Sequence, residues 1–461
     1  KIKIGLEIHM YLKTKEKLFC TCKKSTSLDV ANTNICPVCT GQPGSKPMLI
    51  NQTALYQILK LAIIFKSKIT PKTNFQRKHY TWPDMPTGFQ RTVSGGHIIP
   101  TGVGGEFEGI RLEELHIEED PAAWDPITGN INYNRSGYPL AEIVTKPDFT
   151  STEELKDWLK ELILTANYLH VIDDNFNIKS DVNVSIEESG YKRVEIKNVN
   201  SYNNIVNAAL CEIKRQKKLI KEGKSIKQET RRYNEDLDET QFMRSKENAQ
   251  DYMFIPEPDL PNIKVDNKLI NYLKQSIPEL PSQKRNKYLK YSLSKEDIEV
   301  LVSNLYLTSL YEHAISEKLN PKEVGLFLRR EVLRVLNYNK ATFSDLETKD
   351  IKDEILTILR LLSEEKISYT TAQKLLEKLY DKKFDIENYI KNNNLLQVQD
   401  TKEIEDLVTS ALKSAPQAIE DYKSGNTKSL NFIVGIVMKE TKGTAKPQIV
   451  NKILEEKIKE F

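Results

Sequence analysis

The hydrophobic period of this chain changes near residue 290, and that change limits the folds open to it more than any single motif. Residues 1–290 read as mixed strand and helix, punctuated by glycine, proline and aromatic residues. From about residue 292 the chain runs in long amphipathic stretches such as SKEDIEVLVSNLYLTSLYEHAI and DEILTILRLLSEEKI. A period of two calls for a sheet with one covered face, and a period of about 3.6 for helices that pack by a stripe. A strand-and-helix block followed by a helical block is predicted to fold as α+β. The stretch IPELPSQKRNKY, with Pro278 and Pro281, reads as a linker between the two regimes. A further helical unit is expected from Glu403, after the polar run KNNNLLQVQDTKE, which gives expected domains 1–290, 291–402 and 403–461.

Within the first block, STEELKDWLKELILTANYL (151–169) is predicted to be a helix, with a capping box from Ser151 and Glu154 and a stripe of Leu155, Leu159, Leu162 and Ala166. NNIVNAALCEIKRQKKLIKEG (203–223) is predicted to be a second, stopped by Gly223, with Cys211 as a small core residue. At 39% hydrophobic and 29% charged over 461 residues, the chain suits a soluble globular protein with real cores. No run approaches the ~18 consecutive apolar residues of a membrane span. The first residues alternate instead of pairing a basic stretch with an apolar one, so no secretory signal is expected. The 68 basic and 65 acidic residues leave a net charge of +3, which does not by itself point to nucleic acid but permits a local basic patch.

Four of the five cysteines cluster, as Cys20-x-Cys22 and, thirteen residues later, Cys36-x-x-Cys39 in CPVCTGQPG. An odd, clustered set argues for metal over disulfides and for a reducing, cytoplasmic setting. Four thiolates complete a tetrahedral zinc shell with no open position, which makes such a site structural. The alternative is four reduced, buried thiols.

In KIKIGLEIHMYLKT, Ile2, Ile4, Leu6, Ile8 and Met10 fall on one side of a strand, and Lys3, Gly5, Glu7, His9 and Tyr11 on the other. Glu7 and His9 are either solvated, the default for the outward face of an antiparallel sheet, or part of a site. DVNVSIEESGYKRVEIKNVNS (181–201) outlines a hairpin turning at Glu187–Gly190. Asp181, Asn183 and Ser185 share one face; on the return strand Glu195, Lys197 and Val199 alternate with Val194 and Ile196, and pairing can bring Glu195 and Lys197 to that face. Oxygen ligands beside a lysine suit Mg²⁺ with substrate phosphates.

In RLEELHIEEDPAAW, Leu115 and Ile117 alternate with His116 and Glu118 before Glu119 and Asp120 end the strand; a plain charged strand end would look the same. RKHYTWPDMPTGFQ (77–90) interleaves bases with aromatics, which can stack an adenine or fill a core.

In this order, IGLEIH, RKHYTWPDMPTGFQ, EED, NRSGYPLAEIVTKPD, DVNVS, EIKNVNS, QETRRY and IPEPDLP, with FIVGIVMKETKGTAKPQIVNKIL near the end, resemble the GatB family, the B subunits of aspartyl/glutamyl-tRNA amidotransferases. The related GatE family shares many of these motifs but carries a large insert, and here the passage from IPEPDLP to the helical region is short. The resemblance implies a largely antiparallel cradle domain, a helical domain and a small helical tail like that of YqeY. It implies a ligase component that uses ATP and Mg²⁺ to phosphorylate the side-chain carboxylate of glutamate or aspartate misacylated on tRNA. Ammonia from the GatA glutaminase then forms the amide. GatC completes the heterotrimer, association with an aminoacyl-tRNA synthetase is open to it, and no membrane is involved.

Carried onto this sequence, the resemblance implies catalytic and magnesium-binding roles around one site for Glu7, His9, Glu118, Glu119, Asp181 and Glu195. Lys78 would face phosphate or substrate, and Lys78, Tyr80, Asn183, Ser185, Lys197 and Arg231 would bind the nucleotide. Cys20, Cys22, Cys36 and Cys39 match the zinc-binding members. Parity prefers Glu118 to Glu119, and His9 is left open between ion and substrate. The chain departs from the family with RKHYTWPD where RKNYFYPD is common, and with Pro121-Ala122-Ala123 where a glycine-containing turn is common. It has neither a Walker loop nor an amidase nucleophile arrangement, so glutamine hydrolysis is expected elsewhere.

Near the end, Lys439, Lys442, Lys446 and Lys452 face a single acid, Glu440, across breaks at Gly443 and Pro447. This is either a helix–loop–helix surface for tRNA phosphates or an ordinary solvated face. The competing reading of the whole chain is a zinc-containing RNA scaffold without catalysis. The acidic faces tell the two apart, because carboxylates repel phosphate unless a metal intervenes.

Overall fold

The computed structural model describes all residues except 26–28, 81, 174, 246–251, 398–400, 442 and 461. It divides into two compact units, Lys1–Leu280 and Pro281–Phe461, with the division inside the Pro278–Pro281 stretch. The first holds the sheet and the second is helical, as an α+β chain requires.

In the first unit, alternating sequence produces strands β1 (Ile2–Tyr11), β2 (Gln76–His79), β3 (Phe89–Thr92), β4 (Ile110–Glu119), β5 (Pro139–Thr145), β6 (Lys179–Ile186), β7 (Val194–Asn200), β8 (Glu229–Asn234), β9 (Glu239–Ser245) and β10 (Met253–Pro256). They lie in the order β9-β8-β7-β6-β1-β5-β4-β3-β2-β10 within one thirteen-stranded sheet. Along this path β7 and β8 run parallel and every other pair antiparallel.

One face of this sheet is apolar. Ile4, Leu6 and Ile8 of β1, Ile143 of β5 and Val182 and Val184 of β6 are all 1% exposed or less and join one core. Helices α1 (Thr152–Tyr168) and α2 (Tyr202–Lys221) supply Leu155, Leu159, Leu162, Ile205 and Ala209 to the same core. At the start of α1, Ser151 Oγ accepts the Glu154 N–H at 3.1 Å. Glu154 reaches back to the Thr150 N–H at 2.7 Å, one residue earlier than a strict capping box would place it.

Two local expectations are corrected. Val199 does not share a face with Glu195 and Lys197: Asn198 has φ +53°, an extra residue enters β7, and Val199 turns into the core at 3% exposure. Cys211 is not a core residue; it is half-buried on α2, its Sγ 3.1 Å from the Asp238 carbonyl.

In the second unit, helices Thr401–Ser414, Leu430–Glu440 and Pro447–Lys457 enclose their own core around Ile404, Val408, Leu412, Ile433, Val437, Val450 and Leu454. Among the described residues no helix is long and apolar enough to cross a membrane.

Candidate active site

The opposite face of the sheet is polar, and the ladder decides which side chains meet there. Residues directly opposed across a ladder point to the same side. Glu7 of β1 opposes Asp181 of β6. Asn183 of β6 opposes Glu195 of β7, and Glu195 opposes Thr230 of β8. On the other flank, His9 opposes Glu142 of β5, which opposes His116 of β4.

These oppositions make two clusters side by side. In the first, carboxylate oxygens of Glu7, Asp181 and Glu195 lie within 4.8 Å of one another. Lys197 Nζ is 2.5 Å from Asp181 Oδ2 and 3.4 Å from Glu195 Oε1, and the Asn198 N–H donates to Asp181 Oδ1 at 2.8 Å. Asn183 Nδ2 donates to Glu7 Oε1 at 3.3 Å, while its buried Oδ1 has no partner. Burial and repulsion from Asp181 and Glu142 raise the Glu7 carboxyl above its ordinary range, with Lys197 opposing. Burial would lower the Lys197 ammonium, but Asp181, Glu195 and Glu7 raise it. The three crowded carboxylates form an all-oxygen donor set, which fits a hard divalent cation such as Mg²⁺.

In the second cluster, His9 Nε2 is 3.5 Å from Glu118 Oε1 and 3.4 Å from Glu142 Oε2. His116, only 2% exposed, places Nε2 3.1 Å from Glu142 Oε2 and Nδ1 3.1 Å from Glu114 Oε1. Burial alone would lower the His9 imidazole; Glu142, Glu118 and Asp181 outweigh it and raise it to about 9. Glu142 is held well below its ordinary range against burial by His116 and His9. This set can bind a cation through mixed nitrogen and oxygen donors or hold protons between imidazole and carboxylate.

The remaining candidates separate. Glu119 turns to the other side of β4, where its Oε1 accepts from the Arg91 N–H at 3.0 Å and from Arg91 Nη1 at 3.2 Å. Burial raises this carboxyl, with Arg91 opposing. Arg231 points toward α2: Nη1 lies 2.7 Å from Glu229 Oε1, Nη2 donates to the Thr240 carbonyl at 2.6 Å, and Nε lies 3.6 Å from buried Glu212. Its parity matches Ile196 of the core, so it lies across the sheet from Glu195. Lys78 Nζ lies over the Tyr252 ring, 4.6 Å from its centroid. Tyr80 packs on Tyr252 and directs its hydroxyl to Met85 Sδ at 3.0 Å; burial and the carboxylates of Asp84, Glu118 and Asp120 raise its pKa. Ser185 is half-buried, paired with Lys3 toward the start of β1.

The four cysteine sulfurs of Cys20, Cys22, Cys36 and Cys39 also lie within 4.8 Å of one another. A hydrogen bond from Cys20 lowers the Cys39 thiol to about 4 against burial, with help from the Cys36 N–H and Lys17. Four soft donors at this spacing fit Zn²⁺. The knuckle packs on the loop that follows Tyr80: Gly41 has φ +65°, and a Cβ there would sit 2.6 Å from the Pro86 carbonyl oxygen.

In the tail, Lys439 and Lys452 are exposed, and Lys446 is ion-paired with Glu365. Lys442 lies outside the described residues.

Sequence reasoning gave no role to Glu142, to His116, which it noted on the strand, or to the Arg77–Glu257–Arg91 group, in which buried Glu257 Oε2 accepts from Arg77 Nε at 3.0 Å and Arg91 Nε at 2.8 Å. Glu142 had a signal: in PLAEIVT an acid alternates with Ala141 and Ile143, both fully buried.

A family model described as GatB/GatE catalytic domain matches residues 2–271, and one described as GatB domain matches residues 309–458. The B subunit of the aspartyl/glutamyl-tRNA(Asn/Gln) amidotransferase of Methanothermobacter thermautotrophicus is 40% identical over 459 residues, covering 99% of this chain and 100% of that protein. The protein of the same name from Methanobrevibacter smithii is 41% identical over 456 residues, 98% of this chain and 99% of its own length. That of Methanopyrus kandleri is 37% identical over 463 residues, covering 99% and 98%.

Proposed function

This chain belongs to the GatB family of the tRNA-dependent amidotransferases, glutamine-dependent carbon–nitrogen ligases, and from that premise we propose that its polar sheet face activates and amidates a carboxylate carried on tRNA. The substrate is glutamate on tRNA(Gln), aspartate on tRNA(Asn), or both. A side-chain carboxylate oxygen attacks the γ-phosphorus of ATP and ADP leaves. Ammonia then attacks the carbonyl carbon of the acyl phosphate, phosphate departs, and the surplus proton leaves with it. A bare carboxylate has no good leaving group, and phosphorylation supplies one. Mg²⁺ held by Glu7, Asp181 and Glu195 would neutralise phosphoryl charge.

Lys197 adds a cation at the same place, and Lys78 and Tyr80, which lie against Tyr252 away from this cluster, bind the nucleotide. His9 and Glu118 border the reacting carboxylate, and His9 orients substrate if its cluster holds no ion. Ammonia comes from the glutaminase GatA, with GatC completing a cytoplasmic heterotrimer. Lys439 and Lys452 of the tail contact tRNA phosphates.

The crowding of carboxylate oxygens of Glu7, Asp181 and Glu195 within 4.8 Å of one another on one sheet face is the observation that supports this reading most. A surface built only to bind RNA would carry lysines there. The test is ADP formation by the assembled complex on misacylated tRNA. Glu7→Gln and Asp181→Asn are each expected to lower it by about 100-fold or more. If both variants form ADP at the unaltered rate, the reading is wrong.

A further inference from the structure

Lys17 is 1% exposed, and its ammonium lies 3.2 Å from Cys39 Sγ and 3.2 Å from the Tyr133 carbonyl oxygen. The Tyr138 ring is 5.9 Å away. Among the described residues no carboxylate stands within ion-pair distance of it. A buried ammonium is strongly unfavourable unless an anion answers it. The group within reach that can carry the charge is the sulfur of the knuckle.

We propose that Lys17 is the charge partner of a zinc–thiolate centre formed by Cys20, Cys22, Cys36 and Cys39, donating a hydrogen bond to the Cys39 sulfur. Four thiolates around one divalent ion leave surplus negative charge in a poorly solvated place, and Lys17 offsets part of it. Cys39 Sγ also accepts the Cys36 N–H at 3.2 Å, so two donors converge on one sulfur. The loop that supplies the Tyr133 carbonyl also supplies Ser136, whose Oγ donates to the Cys39 carbonyl at 2.7 Å. Lys17 and Ser136 therefore clamp the knuckle to the segment leading into β5 from two sides. Partners of this kind set the basicity and orientation of metal ligands, and their loss typically weakens metal affinity by about 10–100-fold.

The test uses the full chain carrying Lys17→Met, which keeps most of the volume and removes the charge and the donor, beside Lys17→Arg, which keeps both. Zinc release to a colorimetric chelator is expected to be about 10-fold faster in Lys17→Met and close to the unaltered rate in Lys17→Arg. In cobalt-substituted protein, the sulfur-to-cobalt charge-transfer band of Lys17→Met is expected at lower energy, because a thiolate without its hydrogen bond gives up an electron more easily. A lysine that only filled space would leave the band in place. Unaltered release and an unaltered band in Lys17→Met overturn the proposal. Should that variant not fold, Lys17→Leu, which also removes both the charge and the donor, is read by the same two measurements, and unaltered values there overturn it equally.

Discussion

Glu7 and Asp181 are directly opposed across the β1–β6 ladder, two carboxylates facing one another on a sheet face that also holds Glu195. Like charges so placed destabilise a sheet, by about 0.2–1 kcal/mol for a pair. Only part of that repulsion is answered, since Lys197 is the one ammonium paired with Asp181 and Glu195 among the described residues.

Glu7→Gln therefore separates stability from function. In metal-free protein it is expected to raise the unfolding free energy by about 0.5 kcal/mol, through relief of the opposed charge. Thermal denaturation in EDTA measures this. The same variant is expected to lose the stabilisation that added Mg²⁺ gives the unaltered chain, because ligand binding to the native state adds stability only where the site survives.

Asn198 is the hinge of the bulge that turns Val199 inward. Its φ of +53° lies in the left-handed region, where asparagine is tolerated and β-branched residues are not. Asn198→Val is expected to lose about 1–2 kcal/mol of stability and Asn198→Gly little. Urea denaturation of the two variants checks it. Equal loss in both would place the role in the asparagine side chain instead of its backbone.

Acid is expected to weaken the edge of the sheet formed by β2, β3 and β10. Burial would raise the Glu257 carboxyl, but Arg77 and Arg91 hold it below its ordinary 4.5. A carboxyl with a lowered folded-state pKa contributes stability that is full above the unfolded value and is lost as pH falls through the folded one. Stability should thus decline below about pH 4.5. Glu257→Gln should flatten that part of the profile while losing about 3 kcal/mol at neutral pH, because two arginines lose their partner. Denaturation midpoints between pH 3 and pH 7 read both effects.

Alternation in KIKIGLEIHMY and DVNVSI was enough to place Glu7, His9, Asp181 and Asn183 on outward faces, since side-chain parity is a property of one strand. The stripe of Leu155, Leu159 and Leu162 placed α1 in the same way, and cysteine spacing was enough to group the four thiols. Tertiary structure decided which faces coincide. Only the insertion of β5 between β1 and β4 brings Glu142 beside His9 and His116 and splits the expected ligands into two clusters. Only the parallel register of β8 on β7 turns Arg231 to α2, and only a bulge at Asn198 returns Val199 to the core. Pairing partners and register depend on contacts far apart in the chain, and one inserted residue reverses parity. Local period sets the direction in which a side chain points; the ladder sets what it meets.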